Sequence, residues 1–117
     1  MPGTLLVVED EILVRYDACD FLRAAGYHVL EASTAQQAID ILQGNPAIDL
    51  VFTDVQMPGD LSGIDLAHYI RREHPGIKVV VTSGHISDAD LPQGLGHLVE
   101  KPYRLSRVLQ LFQEAMA

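Results

Sequence analysis

Apolar residues fall along this chain in two alternating rhythms. "TLLVV" (4–8), "DLVFTD" (49–54) and "IKVVVTS" (77–83) are short, nearly unbroken apolar runs rich in β-branched residues. Runs of that length and composition predict strands buried on both faces. Between them the spacing changes to three and four. Val14, Ala18, Phe21, Leu22 and Ala25 share one helical face that Gly26 stops. Ala35, Ala38, Ile39 and Leu42 share another, opened by the capping-box-like Thr34-x-x-Gln37. A third helix is predicted over about 62–74, with Leu66, Ala67 and Ile70 inward and Pro75-Gly76 as its stop. The weaker strand 27–32 and the short strand 98–100 complete the set, and a closing helix turns Leu105, Val108, Leu109 and Phe112 inward. Residues 84–97 have room for a helix, but Pro92, Gly94 and Gly96 leave it one or two turns.

Strand and helix alternate five times, and every crossover is long enough to return on the same side. That predicts parallel pairing and a three-layer α/β fold with helices on both faces of one sheet. At 117 residues the chain reads as a single domain, 1–117, with no repeats, linkers or low-complexity segments.

Open parallel sheets bind ligands beyond the carboxyl ends of their strands. The first strand delivers Glu9 and Asp10 there, the third Asp54, the fourth Thr82 and the last Lys101. Two like charges about 4 Å apart repel by roughly 4 kcal/mol at an effective dielectric near 20. Three clustered carboxylates must therefore stay partly protonated, spread into water or hold a cation. An all-oxygen donor set with few protein ligands suits Mg²⁺ better than a softer metal.

The net charge of −8 argues against direct binding to nucleic acid, whose phosphates want a basic face. Cys19 is the only cysteine, so no internal disulfide is possible. With no signal-like N-terminus and no run of membrane-spanning length, a soluble cytoplasmic protein without a membrane partner is expected. Cys19 and Tyr16 are expected in helix packing. Asp17, Asp20, Arg23, Arg71, Arg72 and Glu73 are expected on solvated faces, and His28, His68 and His74 as structural or exposed groups.

Taken singly these residues have ordinary readings: Asp10 as a helix cap, Asp54 as a loop cap, Lys101 as a surface lysine. Their joint order is more specific. "LLVVEDE", "DLVFTDVQMPG", "VVVTSG" and "EKPY" resemble the signature segments of response-regulator receiver domains, over essentially the whole chain. The resemblance implies a flavodoxin-like sheet of order 2-1-3-4-5. It implies Asp54 as phosphoryl acceptor and a Mg²⁺ site made by Glu9, Asp10, Asp54 and the backbone carbonyl of Gln56. Thr82 and Lys101 would contact the phosphoryl oxygens. The implied partners are a sensor histidine kinase or histidine phosphotransfer protein as donor, and a downstream target protein. The role the resemblance implies is not that of an enzyme but of a signalling phosphoacceptor, which catalyses its own Mg²⁺-dependent phosphoryl transfer to Asp54 and hydrolysis from it.

Three features depart from the family pattern. The turn "MPGDLSG" is one residue longer, Leu98 stands where an aromatic residue is usual, and the segment before it is short and broken. No output domain follows the last helix, so a stand-alone receiver or one excised from a longer regulator or hybrid kinase is expected. A pseudo-receiver scaffold is the main alternative. A haloacid-dehalogenase-like phosphatase would need an acid where Gln56 stands, and a flavin carrier would not place three acids in its phosphate loop.

Overall fold

The computed structural model describes residues 3–44, 47–84 and 94–116. The apolar runs form β1 (Thr4–Val8), β3 (Leu50–Asp54) and β4 (Lys78–Ser83), with β2 (His28–Ala32) and β5 (His97–Glu100) outside them. All pairings are parallel, in the order β2-β1-β3-β4-β5. The predicted α/β architecture and strand order are therefore what the chain adopts. Among the described residues the helices are α1 (Ile12–Ala24), α2 (Ala35–Gly44), α3 (Gly63–Glu73) and α4 (Leu105–Ala115). The short helix expected between β4 and β5 falls mostly on residues 85–93, outside the described ones.

Alternation along the strands feeds two cores. Leu6, Val8, Val51, Val79 and Val81 pack with α2 and α3 on one face. Leu5, Val7, Leu50, Phe52 and Val80 pack with α1 and α4 on the other. Each such side chain, fully withdrawn from water, contributes about 1.5–3 kcal/mol, so two-sided burial of the central strands dominates the fold. On the second face Phe112 stands edge-on to both Tyr27, at 6.4 Å, and Phe52, at 5.2 Å.

The helix starts differ in how they satisfy their free N–H groups. Ser62 caps α3 in a full capping box with Asp65, and Thr34 Oγ1 accepts from Gln37 N at 3.1 Å ahead of α2. The reciprocal arm from Gln37 reaches back to Ser33 N, one residue earlier than the Thr34-x-x-Gln37 pattern implies. α1 has no side-chain cap. Two residues expected inward on or near α1 are not: Ala25 follows its last turn and is exposed, and Tyr16 is about half exposed on the outer face. Cys19 is fully buried, as expected.

Candidate functional site

β1 and β3 are neighbours whose following crossovers leave on opposite sides of the sheet, which opens a crevice above their carboxyl ends. Glu9 follows β1 directly, and its N–H is tied to Ala32 O at 3.0 Å. Asp54 is the last residue of β3 and pairs in register with Thr82 of β4. Lys101 follows β5 through a bond from its N–H to Ser83 O at 2.9 Å, and the next peptide, Lys101–Pro102, is cis. The structure therefore brings Glu9, Asp10, Asp54, Thr82 and Lys101 to one edge.

Glu9, Asp54 and Thr82 are buried, whereas Asp10 is exposed at the mouth. One carboxylate oxygen from each of Glu9, Asp10 and Asp54 lies within 4.8 Å of the others. Lys101 Nζ donates to Asp54 Oδ2 at 2.7 Å and stands 3.8 Å from Glu9 Oε1. The N–H of Gln56 donates to Asp54 Oδ1 at 3.3 Å, so the two acceptor oxygens of Asp54 differ in their partners. Beneath the acids a small cavity of about 10 Å³ is bordered by Glu9, Thr53, Asp54, Thr82 and Tyr103. Tyr103 was not singled out by sequence, although its place two residues past Lys101 puts it under the same edge.

The electrostatics follow from the geometry. Burial, a hydrogen bond with Asp10 and the charge of Asp54 push the Glu9 carboxyl from its ordinary 4.5 up to about 7, against the Glu11 N–H and Lys101, which favour its charge. Burial works against the Lys101 ammonium, but the hydrogen bond and charge of Asp54, with Glu9 behind it, raise its affinity for the proton overall. A buried acid that keeps its proton to near neutrality beside two further carboxylates fits a site for a hard cation, and its donors are all oxygen.

The Glu9 shift has a consequence for stability. Folded, Glu9 keeps its proton up to about pH 7; unfolded, only to about 4.5. The folded state thus binds more protons in that window, and metal-free stability falls as pH rises through it. The shift sets a ceiling of about 3 kcal/mol, and partial screening at the open mouth reduces this to about 1–2 kcal/mol. Urea titrations at pH 5 and pH 8 are expected to show the loss, and Glu9→Gln to remove it. An unchanged difference in the variant would contradict this account.

The family follows from comparison with known proteins. Residues 5–113 match the model of the response regulator receiver domain. The chain belongs to that family. It is 33% identical to the sensor kinase CckA of Brucella abortus over 97% of its own length and 12% of that protein. It is 32% identical to the transcriptional regulatory protein PdtaR of Mycobacterium tuberculosis over all of its length and 58% of that protein. The first relatives are thus longer proteins, of which this receiver domain spans between 12% and 58%. Among solved structures, a receiver domain from Clostridium thermocellum superposes with a TM-score of 0.89 at 28% identity, covering 97% of this chain and 94% of that one. The receiver domain of the hybrid histidine kinase CckA gives 0.84 at 32% identity, covering 98% and 100%.

Leu98 is half-buried in β5 and packs against the core shared with α2 and α3. Among the described residues no helix is long and apolar enough to cross a membrane.

Proposed function

We propose that residues 1–117 act as one phosphoacceptor unit of a two-component or phosphorelay system, with Asp54 as the group that takes the phosphoryl. The observation that carries this reading is the placement of a buried Asp54 carboxylate between Lys101 Nζ, at 2.7 Å, and two further acids within 4.8 Å. The residues fit Mg²⁺, held by Glu9, Asp10, Asp54 and the Gln56 carbonyl. Bound there, it would neutralise charge on the phosphoryl oxygens.

The chain's own residues do the rest. An Asp54 carboxylate attacks phosphorus without a general base, forming an O–P bond as the P–N bond of a partner phosphohistidine breaks. Lys101 meets the charge that gathers on the phosphoryl oxygens, in a cleft whose geometry is set beforehand. Thr82, opposite Asp54 in register, offers a hydroxyl to one phosphoryl oxygen. That new bond, with the charge the phosphoryl group adds, changes what a downstream protein finds on this face. Water later hydrolyses the acyl phosphate and resets the domain.

The donor reading draws support from two relatives, the sensor kinase CckA and the receiver domain of the hybrid histidine kinase CckA. It draws more from α1, where Ile12, Leu13 and Tyr16 are 52%, 78% and 51% exposed. They stand at the start of the helix that leads out of the acid loop. Beside them runs a groove of about 710 Å³ bordered by Glu11, Val14, Asp17, Lys101 and Tyr103. Leu13→Asp is expected to slow transfer from a phosphohistidine protein roughly tenfold, the loss of a contact worth about 1.4 kcal/mol. Uptake from a small acyl phosphate, which needs no docking, should be unchanged. Equal slowing with both donors would place Leu13 in the fold, not the docking face.

The direct test is intact-protein mass after incubation with a small acyl phosphate, with Mg²⁺ or with EDTA. One phosphoryl group is expected, only with the metal, and borohydride reduction should convert residue 54 to homoserine. No gain in a folded, metal-supplemented sample would favour an interaction scaffold.

A further inference from the structure

Neither backbone hydrogen-bonding group of Glu9 is free. Its N–H is held by Ala32 O at 3.0 Å, and its carbonyl accepts from the Arg15 guanidinium, through NH1, at 2.8 Å. The same guanidinium donates through Nε to Glu31 Oε1 at 3.0 Å. The other oxygen of Glu31 takes Arg23 at 3.1 Å, and Arg23 also donates to Val29 O at 2.9 Å. Arg15 is largely buried, its side chain 15% exposed. It sits one turn into α1 and reaches back toward β1 and β2.

The carbonyl that Arg15 holds belongs to the Glu9–Asp10 peptide, which is planar. Fixing that carbonyl fixes the orientation of the whole peptide, and with it the direction from which Asp10 leaves the strand. The Ala32 bond fixes the other side of Glu9. We propose that Arg15, oriented by Glu31, is a positioning residue for the acid pair: it aims the Glu9 and Asp10 carboxylates into the crevice and thereby sets the affinity for Mg²⁺. This rests on the phosphoacceptor reading above, since it concerns the same cation.

Sign separates this role from simple electrostatics. A guanidinium near a cation site repels the cation, so removing its charge alone would tighten Mg²⁺ binding. Removing a group that orients ligands weakens it, by about 10-fold to 100-fold for partners of this kind. A staple that only joins α1 to β2 would lower stability and leave the affinity of the folded protein as it was.

The test is a Mg²⁺ titration of unphosphorylated protein, followed by backbone amide shifts of the crevice residues, with urea stability measured in parallel. Wild type, Arg15→Ala, Arg15→Lys, Glu31→Gln and the Arg15→Ala/Glu31→Gln double variant are compared. Arg15→Ala is expected to bind about tenfold more weakly. Arg15→Lys should recover part of that loss, because an ammonium can hold the carbonyl but not present the planar fork to Glu31 as well. Glu31→Gln should weaken binding in the wild-type background and have no further effect on Arg15→Ala. Unchanged or tighter binding by folded Arg15→Ala would overturn the inference and leave the phosphoacceptor reading standing. A wild type that does not bind Mg²⁺ would overturn both. If Arg15→Ala does not fold, Glu31→Gln alone decides: unchanged Mg²⁺ affinity in that variant overturns the proposal.

Discussion

Lys101→Ala is expected to slow phosphorylation of Asp54 by a small acyl phosphate by roughly 10²–10³-fold, the usual cost of removing one fixed donor from a site of developing charge. The argument begins before any phosphoryl group arrives. Lys101 Nζ touches Asp54 Oδ2 at 2.7 Å and lies 3.8 Å from Glu9 Oε1, so one ammonium serves two buried acids. Under the proposed function, a phosphoryl group on Asp54 would bring its oxygens within reach of the same ammonium without rebuilding the site. Lys101→Arg keeps the charge but replaces a compact ammonium with a longer planar fork, and should fall between the two. The readout is the rate of phosphoryl uptake at saturating Mg²⁺, by intact mass. A rate within about threefold of wild type in folded Lys101→Ala would remove Lys101 from the chemistry.

What the sequence made legible divides along a physical line. Residues that sit at the end of a strongly patterned strand could be placed by register alone. Glu9, Asp54 and Thr82 are one step from, or within, runs whose two-sided burial leaves a single way to lie in the sheet. Lys101 followed in the same way from β5, even though that strand has only four residues. Contacts that depend on where a long side chain turns were not legible. Arg15 lies among charged and apolar residues on α1, and no period in the sequence distinguishes it from Arg23. Only folding α1 back over β2 brings both to Glu31. Tyr16 failed for the opposite reason: an aromatic on an amphipathic helix is usually packed, and here the outer face of α1 keeps it in water beside Ile12 and Leu13.

Gly63 carries the second large effect, and nothing in its sequence setting announces it. It opens α3 after the Ser62 cap and is buried, with its N–H bonded to Val55 O at 2.8 Å. A Cβ at this position would lie 2.0 Å from the carbonyl oxygen of Asp54, 2.8 Å from the carbonyl carbon and 2.9 Å from Val55 Cα. These are backbone atoms that cannot swing aside, so α3 must retreat or the end of β3 must move. Gly63→Ala is expected to cost about 3 kcal/mol, at the upper end for overpacking a tight contact. It should also slow phosphoryl uptake on the order of 100-fold in the molecules that remain folded, because the displaced backbone is that of Asp54, the acceptor in the proposed function. Gly44→Ala is the control. That residue ends α2 with nothing within 4 Å of an added Cβ, so the change should be neutral or stabilise by up to about 1 kcal/mol. Urea unfolding of both variants gives the first number, and intact-mass kinetics well below the unfolding midpoint gives the second. If Gly63→Ala is as stable as Gly44→Ala, α3 is free to retreat from β3 at little cost. The acceptor would then be positioned by β1 and β4 alone.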